Sequence, residues 1–357
     1  MNLPTPVPSP VLRSGAFRPT LKEIASIAKV DISTVSRAIN DSPLITRETK
    51  ATVLAIAERM NYFPNSLARG LVNQKSETLG IILPTISFLQ GPFFSQLLAG
   101  LEQASIESGY NILIASATHR DRDKHFPFNL TRARRIDGML IMNEQHKIGN
   151  LPALKKEKFP FVFMNRDIDD SEVYCVAMDN VQGGRLATQH LLDLGHTRIG
   201  FVTGNADMAV TQARREGIRQ ALEAHGMILD EEMVVEGLFE NGIDTGAQCA
   251  MRLLKAKRRP TAIFAFSDEL AIGVMQTARN LGMRMPEDLA IVGYDNIEYG
   301  AHLNPPLTTI SQDPFAIGAT SCRMLIEMLN GKMPENRHVK IPVKLVVRNS
   351  SGQPSRE

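Results

Sequence analysis

The stretch KVDISTVSRAIN, residues 29–40, separates its apolar and polar residues onto two sides of a predicted helix. With about 100° of rotation per residue, the apolar side is typical of a helix that packs into a small core. It carries Ile32, Val35, Ala38 and Ile39. The polar side has no carboxylate and consists of Ser33, Ser36, Arg37 and Asn40, with Thr34 at the border. This side is either merely solvated or contacts a partner, and the flanking residues bear on that choice.

Two further short helices are predicted around this one. TLKEIASIAKV starts with a capping box between Thr20 and Glu23 and continues as an apolar stripe; a third helix starts at Thr46 and ends before NYFPN. Two short helices joined by a tight turn, with a third closing the core, form a helix-turn-helix module. Its second helix enters the major groove of DNA. We therefore predict a DNA-binding domain at residues 20–63, with contacts from Thr20, Ile32, Ser33, Thr34, Ser36, Arg37 and Asn40.

The distribution of charge agrees with this prediction. Residues 1–75 contain ten Lys or Arg and five Asp or Glu, whereas residues 76–357 contain 30 and 33. A basic head on a mildly acidic body indicates a polyanionic partner for the head. The first 19 residues, with four prolines among the first ten, are predicted to form a disordered arm.

Residues 64–76 are predicted to form a hinge helix and a linker. Asn65 is a candidate N-cap, and Leu67, Ala68 and Leu71 fall on one face of the helix. A helix of barely two turns is not stable alone in water, so this one must fold against another surface. That surface is either its own twin over the minor groove of DNA, with Leu71 as an apolar wedge, or the body, as for an ordinary linker.

The rest of the chain alternates apolar runs with amphipathic helical segments from residue 77 to residue 350. The runs are TLGIILP, NILIASA, DGMLIM, FVFMN, RIGFVTG, AIFAFS and LAIVGYD. Continuous apolar runs separated by helices predict parallel sheets that are covered by helices on both faces. The strands predicted from these runs are too numerous for one compact lobe.

Ligands of such sheets bind at the carboxyl ends of the strands, and this rule selects the candidate ligand-binding residues. They are Phe93, Phe94, Asn165, Arg214, Phe239, Ser267, Asp268 and Asp295. A guanidinium fork, a carboxylate and aromatic faces suit a sugar better than a nucleobase. Two of these residues have a structural alternative, since Asp268 could simply cap the following helix and Phe94 could be a core residue.

The segment TLKEIASIAKVDISTVSRAIN resembles the DNA-binding head of the LacI/GalR family of bacterial transcription regulators. The similarity continues through MDNVQGGRLATQHLLDLGHTRIGFVTG, IVGYDNIEYG and PPLTTISQD, so that it covers residues 20–350. It implies a two-lobed body of the periplasmic-binding-protein-like type I, residues 77–350, followed by a polar tail, residues 351–357. The lobes expected are about 77–178 with 311–338, and about 179–310 with 339–350.

The same resemblance implies roles for individual residues. Leu71 corresponds to the minor-groove wedge of a hinge helix that folds only on operator DNA. Arg214 and Asp295 match the principal ligand-contacting positions of the family, and Asn165 and Phe239 match further contact positions. Ser267 stands where the family usually has asparagine.

The fold class predicted is therefore a small all-α helix-turn-helix head with a hinge helix, plus an α/β two-lobed body of parallel sheets. No H-E-x-x-H, Walker loop, G-x-S-x-G or G-x-G-x-x-G motif occurs, so we predict neither an enzyme nor a cofactor. Three separate cysteines, Cys175, Cys249 and Cys322, offer no zinc-ligand spacing, and no metal site is predicted. No apolar run resembles a membrane span or signal peptide, which predicts a cytoplasmic protein.

We predict a homodimeric repressor of carbohydrate uptake or catabolism genes that binds double-stranded operator DNA. A small-molecule effector, a mono- or disaccharide in the cleft between the lobes, would release it from a pseudo-palindromic operator. One alternative is a repressor whose ligand is a purine or sugar phosphate acting as corepressor. Another is a sugar-binding transport protein, against which the head and the absence of a signal-like stretch argue.

Overall fold

The computed structural model describes residues 19–62, 75–83, 91–116, 128–142, 151–237 and 242–354. They belong to two compact units, a head that ends at residue 74 and a body that begins at residue 75. The predicted arm up to residue 18, the hinge contacts Asn65, Leu67, Ala68 and Leu71, and the ligand contact Phe239 lie outside the described residues. Across the described ranges, no helix is long and apolar enough to cross a membrane.

The described head consists of three helices, α1 (Leu21–Ala28), α2 (Ile32–Ile39) and α3 (Arg47–Arg59). The predicted capping box begins α1: Glu23 N donates to Thr20 Oγ1 at 3.4 Å, and Thr20 N donates to Glu23 Oε2 at 2.7 Å. The helix ends at Lys29, whose φ of 55° lies in the left-handed region that non-glycine residues adopt mainly in turns. A tight turn therefore leads from α1 into α2, as predicted.

The apolar stripes of the three helices meet in one small core. It is formed by Ile24, Ala25, Val35, Ala38, Val53, Ile56 and Ala57. Ile32, which the helical pattern assigned to the apolar side of α2, is instead 48% exposed. It is the first residue of α2 and precedes Val35, the first buried residue of that helix, by almost one turn. Ile32 therefore joins the exposed surface rather than the core.

The body contains two six-stranded sheets within its described residues. The first is formed by β1 (Thr78–Leu83), β2 (Asn111–Ser116), β3 (Gly138–Met142), β4 (Phe161–Met164), β5 (Cys175–Met178) and β11 (His338–Ile341). The second is formed by β6 (Ile199–Thr203), β7 (Val234–Glu236), β8 (Ala262–Ala265), β9 (Ala290–Asp295), β10 (Thr308–Ser311) and β12 (Lys344–Val346). Their orders are β11–β5–β4–β3–β1–β2 and β12–β10–β9–β8–β6–β7. All pairs are parallel except β10 with β12.

Helices cover both sheets, and each sheet together with its helices forms one lobe of the body. Those of the first lobe are α4 (Pro92–Glu107), α5 (Phe128–Arg132), α6 (Leu151–Lys156) and α11 (Pro314–Leu329). Those of the second are α7 (Asn180–Asp193), α8 (Ala209–Ala224), α9 (Gly242–Leu254) and α10 (Asp268–Asn280). Ile81 of β1 packs in a core with α4 and α11, whereas Ile82 packs in another core that includes Leu154 of α6. Burial on both faces explains the continuous apolar run of β1 and confirms the predicted class.

The chain passes between the lobes at three places in the described part: after β5, after β10, and between β11 and β12. The first two places lie next to the lobe boundaries expected near residues 178 and 310. The predicted lobe boundary at residue 339 is wrong, because residues 338–341 pair in parallel with β5 in the first sheet. Pro342 then follows; it has no N–H to donate to a sheet ladder, so the crossing starts there.

Two glycines allow α7 and α8 to pack with their backbones in contact. A Cβ added to Gly184 would lie 2.2 Å from the carbonyl oxygen of Arg214, and one added to Gly217 would lie 2.0 Å from that of Val181. Both contacts are with main-chain atoms, which cannot move aside as a side chain can. The sequence of these helices therefore places Arg214 directly against α7.

Candidate functional site

The polar side of α2 is accessible in the head. Ser33, Arg37 and Asn40 are exposed, whereas Thr34 and Ser36 are partly buried. Within the described part of the chain, Arg37 forms no ion pair. The exposed Ile32 extends this surface toward the start of the helix. Of the predicted DNA contacts, Ile32, Ser33, Thr34, Ser36 and Arg37 therefore lie in α2, and Asn40 is its C-cap.

Thr20, the remaining described DNA contact, lies at the start of α1. Its hydroxyl is 3.0 Å from Glu23 Oε2, within the capping box. That carboxylate lies near the positive end of the α1 dipole, where a negative charge is favourable. The structure thus gives Thr20 a role as the N-cap of α1, and its contact with DNA stays a prediction.

A cavity of about 200 Å³ lies between the two lobes of the body. The first lobe contributes Asn165, Arg166, Asp167, Met178 and Lys340, and the second contributes Asp179, Asn180, Val181, Ala209, Val210, Gln212 and Ala213. The segments 84–90, 117–127, 143–150 and 238–241, which follow β1, β2, β3 and β7, are outside the described residues. Asn165 is the predicted ligand residue in this lining, and Arg214 directly follows Ala213.

Two of the predicted ligand residues have unusual backbone conformations. Asn165, after β4, has a φ of 55°, and Asp295, the last residue of β9, has a φ of 124°. Such conformations cost about 1–3 kcal/mol each and occur frequently at functional sites. Among the described residues, the buried Oδ1 of Asn165 also has no hydrogen-bond partner. A buried acceptor of this kind is unfavourable unless a ligand or water donates to it.

Arg214 is 6% exposed and is held by three groups of the second lobe. Its Nε donates to Asn180 Oδ1 at 2.9 Å, and one terminal nitrogen donates to the carbonyl of Phe266. The guanidinium lies 3.6 Å from the centre of the Tyr294 ring, and the Tyr294 hydroxyl donates to the same Asn180 oxygen at 3.3 Å. Because a guanidinium has five N–H groups, Arg214 retains donors for a ligand in a fixed orientation.

Asp268 is fully buried behind this arginine site. It accepts hydrogen bonds from Thr309 Oγ1 at 2.6 Å and from the N–H of Ile297 at 2.9 Å. The alternative in which Asp268 caps α10 is wrong, because Ser267 is the N-cap and accepts from Leu270 N at 3.1 Å. Asp268 instead attaches the segment after β9 to β10, so it supports the site from within.

The two carboxyl groups of Asp268 and Asp295 influence each other. Burial, reinforced by the nearby charge of Asp268, raises the pKa of Asp295 to about 8 although Arg214 opposes the shift. Burial also raises the pKa of Asp268 to about 6, against its hydrogen bonds from Thr309 and Ile297. The pair therefore retains a proton near neutral pH, and Asp295 can donate a hydrogen bond as well as accept one.

This protonation makes the stability of the body depend on pH in a definite direction. A carboxyl group whose pKa is higher in the folded state stabilises the fold fully below its unfolded pKa of about 3.9. That contribution is lost as the pH rises through the folded value of about 8. We expect Asp295→Asn to gain stability relative to the wild type between pH 5 and pH 9, by at least about 1.4 kcal/mol, one pKa unit.

Chemical unfolding of both proteins across this pH range measures the difference. The matched control is Asp207→Asn, which replaces an exposed carboxylate near the start of α8 and should run parallel to the wild type. A parallel profile for Asp295→Asn as well would mean that Asp295 ionises without cost, contrary to its raised pKa.

The remaining candidates occupy less direct positions. Phe94 is 3% exposed and belongs to the core of the first lobe, which agrees with the alternative that it is a core residue. Phe93 is partly buried at the start of α4. Ser267 is partly buried at the carboxyl end of β8. Sequence reasoning missed Asn180 and Tyr294, which orient Arg214, and Gln312, whose Nε2 donates to Asp295 at 2.5 Å. Tyr294 precedes a selected strand-end residue, but nothing local marks Asn180 or Gln312 as its neighbours.

A helix-turn-helix head and a two-lobed α/β body with a polar cleft between the lobes together define a ligand-responsive DNA-binding regulator. Comparisons with known proteins agree. Residues 20–65 match the family described as bacterial regulatory proteins, lacI family, and residues 188–351 match the periplasmic binding protein-like domain.

Individual relatives cover nearly the whole chain. The HTH-type transcriptional repressor PurR of Aliivibrio salmonicida is 33% identical over 333 residues, 93% of this chain and 98% of that protein. The Lac repressor dimer bound to operator and the anti-inducer ONPF superposes with a TM-score of 0.84, 26% identity and coverage of 94% and 99%. The transcriptional regulator CelR in complex with cellobiose has a TM-score of 0.71, 30% identity and coverage of 93% and 100%.

The chain therefore belongs to the lacI family of bacterial regulatory proteins. The predicted family, fold class and general function, a DNA-binding transcriptional repressor, are confirmed.

Proposed function

We propose that this repressor is a homodimer that leaves a pseudo-palindromic operator when a small sugar binds between its lobes. The observation that carries the proposal is a set of oriented polar groups in the body: the Arg214 guanidinium held on α8, Asp295 at the end of β9, and Asn165, which follows β4 and lines the cavity. These groups offer fixed donors, a carboxyl group that can both donate and accept, and the amide carbonyl of Asn165, which has no partner among the described residues. Sugar hydroxyls, each a donor and an acceptor, are complementary to this set.

The alternative to a neutral sugar is a sugar phosphate or a purine that acts as a corepressor. Arg166 and Lys340 line the first-lobe side of the cavity, and cations there suit a phosphate. Lys340 is, however, paired with Asp167 at 2.9 Å, which offsets its charge. A neutral mono- or disaccharide fits this near-balanced lining better, and the CelR–cellobiose complex supplies a precedent within the family.

In the head, we propose that α2 lies in the major groove with its exposed polar side toward the bases. Ser33 and Thr34 are short enough to let the helix axis approach the groove floor. Arg37, one turn further on, can reach a guanine edge or a phosphate. Two-fold symmetry of a dimer then requires two half-sites of related sequence.

The dimer interface is proposed to include α4 of the body, where Ile106 is 68% exposed although large and apolar. The Lac repressor dimer on operator is the structural precedent. For release, the effector must bind the off-DNA state more tightly than the operator-bound state, since equal affinity for both shifts nothing.

For the hinge, we propose that Leu71 is inserted into the minor groove at the operator centre. Leu71→Ala should then weaken operator binding about tenfold or more, since a kinked base step would lose its apolar wedge. Binding to non-specific DNA should change little. Anisotropy titrations with operator and scrambled duplexes measure both, and Leu281→Ala, which truncates an exposed leucine of the body, serves as the leucine control. Equal losses on both kinds of DNA would contradict the insertion.

The function as a whole is tested by thermal unfolding of the full chain against mono- and disaccharides, sugar phosphates and purines. A ligand present at about 100 times its dissociation constant should add about 2.7 kcal/mol of stability. The compound found should then release the protein from its operator. Stabilisation by a purine or a sugar phosphate alone, with tighter operator binding, would replace the proposed inducer by a corepressor.

A further inference from the structure

Three side chains with metal-binding atoms converge at one edge of the first lobe. A carboxylate oxygen of Asp167, the sulfur of Cys175 and a ring nitrogen of His338 all lie within 4.8 Å of one another. They come from distant parts of the sequence, so no spacing motif identifies them as a cluster. Cys175 is buried, whereas Asp167 and His338 are exposed and can be reached from solvent.

The sheet topology explains why these groups meet. Cys175 and His338 are the first residues of β5 and β11, and they are register partners in the parallel pair that these strands form. Partners in register place their side chains on the same face of a sheet. Asp167 follows β4, the neighbour of β5 on its other side, and its Oδ2 is held by Lys340 Nζ of β11 at 2.9 Å.

The groups around the three side chains resemble those that orient metal ligands. The Nε2 of His338 lies 3.0 Å from the backbone oxygen of Asp170, to which it donates, so that Nδ1 keeps its lone pair. Ligand histidines typically donate their second N–H in this way. The N–H of Ile168 donates to the Cys175 sulfur. The carboxylate of Asp170 is in turn anchored by Lys155 at 3.1 Å, which holds this segment in place.

We propose that Asp167, Cys175 and His338 form a zinc site, with water as the fourth ligand. Zn²⁺ accepts this mixture of sulfur, nitrogen and oxygen, whereas Mg²⁺ and Ca²⁺ require oxygen ligands. Tetrahedral bonds of about 2.0–2.3 Å bring ligand atoms to about 3.5 Å from each other. Small rotations of the exposed Asp167 and His338 side chains close the remaining distance. Binding displaces the thiol proton of Cys175 to solvent.

The position of the site links it to the cleft. Asp167 and Lys340 both line the cavity between the lobes, and β11 leads directly into the third crossing. A bound metal would join the segment after β4 to β5 and β11. It would also withdraw the Asp167 carboxylate from Lys340. Zinc binding would therefore alter one wall of the cavity in which the effector is proposed to bind.

The test is a zinc titration of the full chain, competed against a chromophoric chelator, with Co²⁺ as a spectroscopic probe. We expect one equivalent to bind and Co²⁺ to show a thiolate-to-metal charge-transfer band. Cys175→Ser and His338→Gln should each weaken zinc binding by more than about tenfold and remove or shift that band. Lys340→Met should strengthen binding, because it removes a cation that competes for Asp167.

Matched controls are Cys322→Ser, which alters a buried cysteine of α11, and His302→Gln, which alters an exposed histidine of the second lobe. Both should bind zinc as the wild type does. His338 is exposed on an edge strand, so His338→Gln remains informative even if Cys175→Ser fails to fold. Absence of stoichiometric binding, or equal affinity in His338→Gln and the wild type, would overturn the proposal while leaving the repressor function untouched.

Discussion

Arg214→Ala is expected to abolish the response to the effector while leaving operator affinity unchanged. The side chain is 6% exposed and its fork is oriented by Asn180, the Phe266 carbonyl and the Tyr294 ring. Removing a buried, charged donor from a ligand site typically costs about 2–5 kcal/mol of binding free energy. At the same effector concentration the cleft would therefore remain empty. The variant should stay on the operator at effector concentrations up to at least about 30 times those that release the wild type.

The same substitution removes contacts within the second lobe, so the melting temperature must be measured alongside. Arg215→Ala is the matched control: it is the next residue of α8, and its guanidinium pairs with Glu231 at 2.8 Å at the surface. The Arg215→Ala variant should leave the operator in response to the effector as the wild type does. Arg214→Lys keeps the positive charge but loses the planar arrangement of guanidinium N–H donors, so it should retain only part of the response to the effector. If Arg214→Ala weakened operator binding as much as effector binding, the separation of roles between head and body would be wrong.

Arg37→Ala is expected to weaken specific operator binding by about 1–3 kcal/mol, or roughly 5- to 150-fold. Arg37 is exposed on the carboxylate-free side of α2 and forms no ion pair with another described residue. Its guanidinium is therefore free to form two hydrogen bonds with a guanine edge. Loss of a base contact should relax specificity at one position of each half-site. Binding to operator variants at fixed salt concentration measures both effects.

Arg59→Ala provides the control, because it removes the same charge from the last turn of α3, outside the polar side of α2. If Arg37 only neutralises phosphate, Arg37→Ala should lose affinity equally on all sequences with a reduced salt dependence, while Arg59→Ala binds nearly as the wild type does. If Arg37 reads a base, only Arg37→Ala should change the ranking of operator variants. These two results distinguish positioning from specificity.

Local patterns in the sequence were sufficient for the head and for the strands of the body. The Thr20–Glu23 capping box, the apolar stripe of α3 with Val53 and Ile56, and the apolar runs of the parallel strands each involve neighbours in the chain. The strand-end rule also located Asn165 and Asp295 correctly at the ends of β4 and β9, where the structure shows left-handed or strained φ values. These features depend on short-range geometry, which the order of residues determines.

Other features were decided only by the tertiary structure. The burial of Asp268 behind Asp295, the orientation of Arg214 by Asn180, and the membership of β11 in the first sheet all depend on segments that are far apart in the chain. The meeting of Asp167, Cys175 and His338 has the same origin. The sequence by itself therefore determined the family, the elements and the strand ends. Packing decided which of the polar groups share a proton, a hydrogen bond or a site, because the energies of such groups depend on partners and burial that no local pattern records.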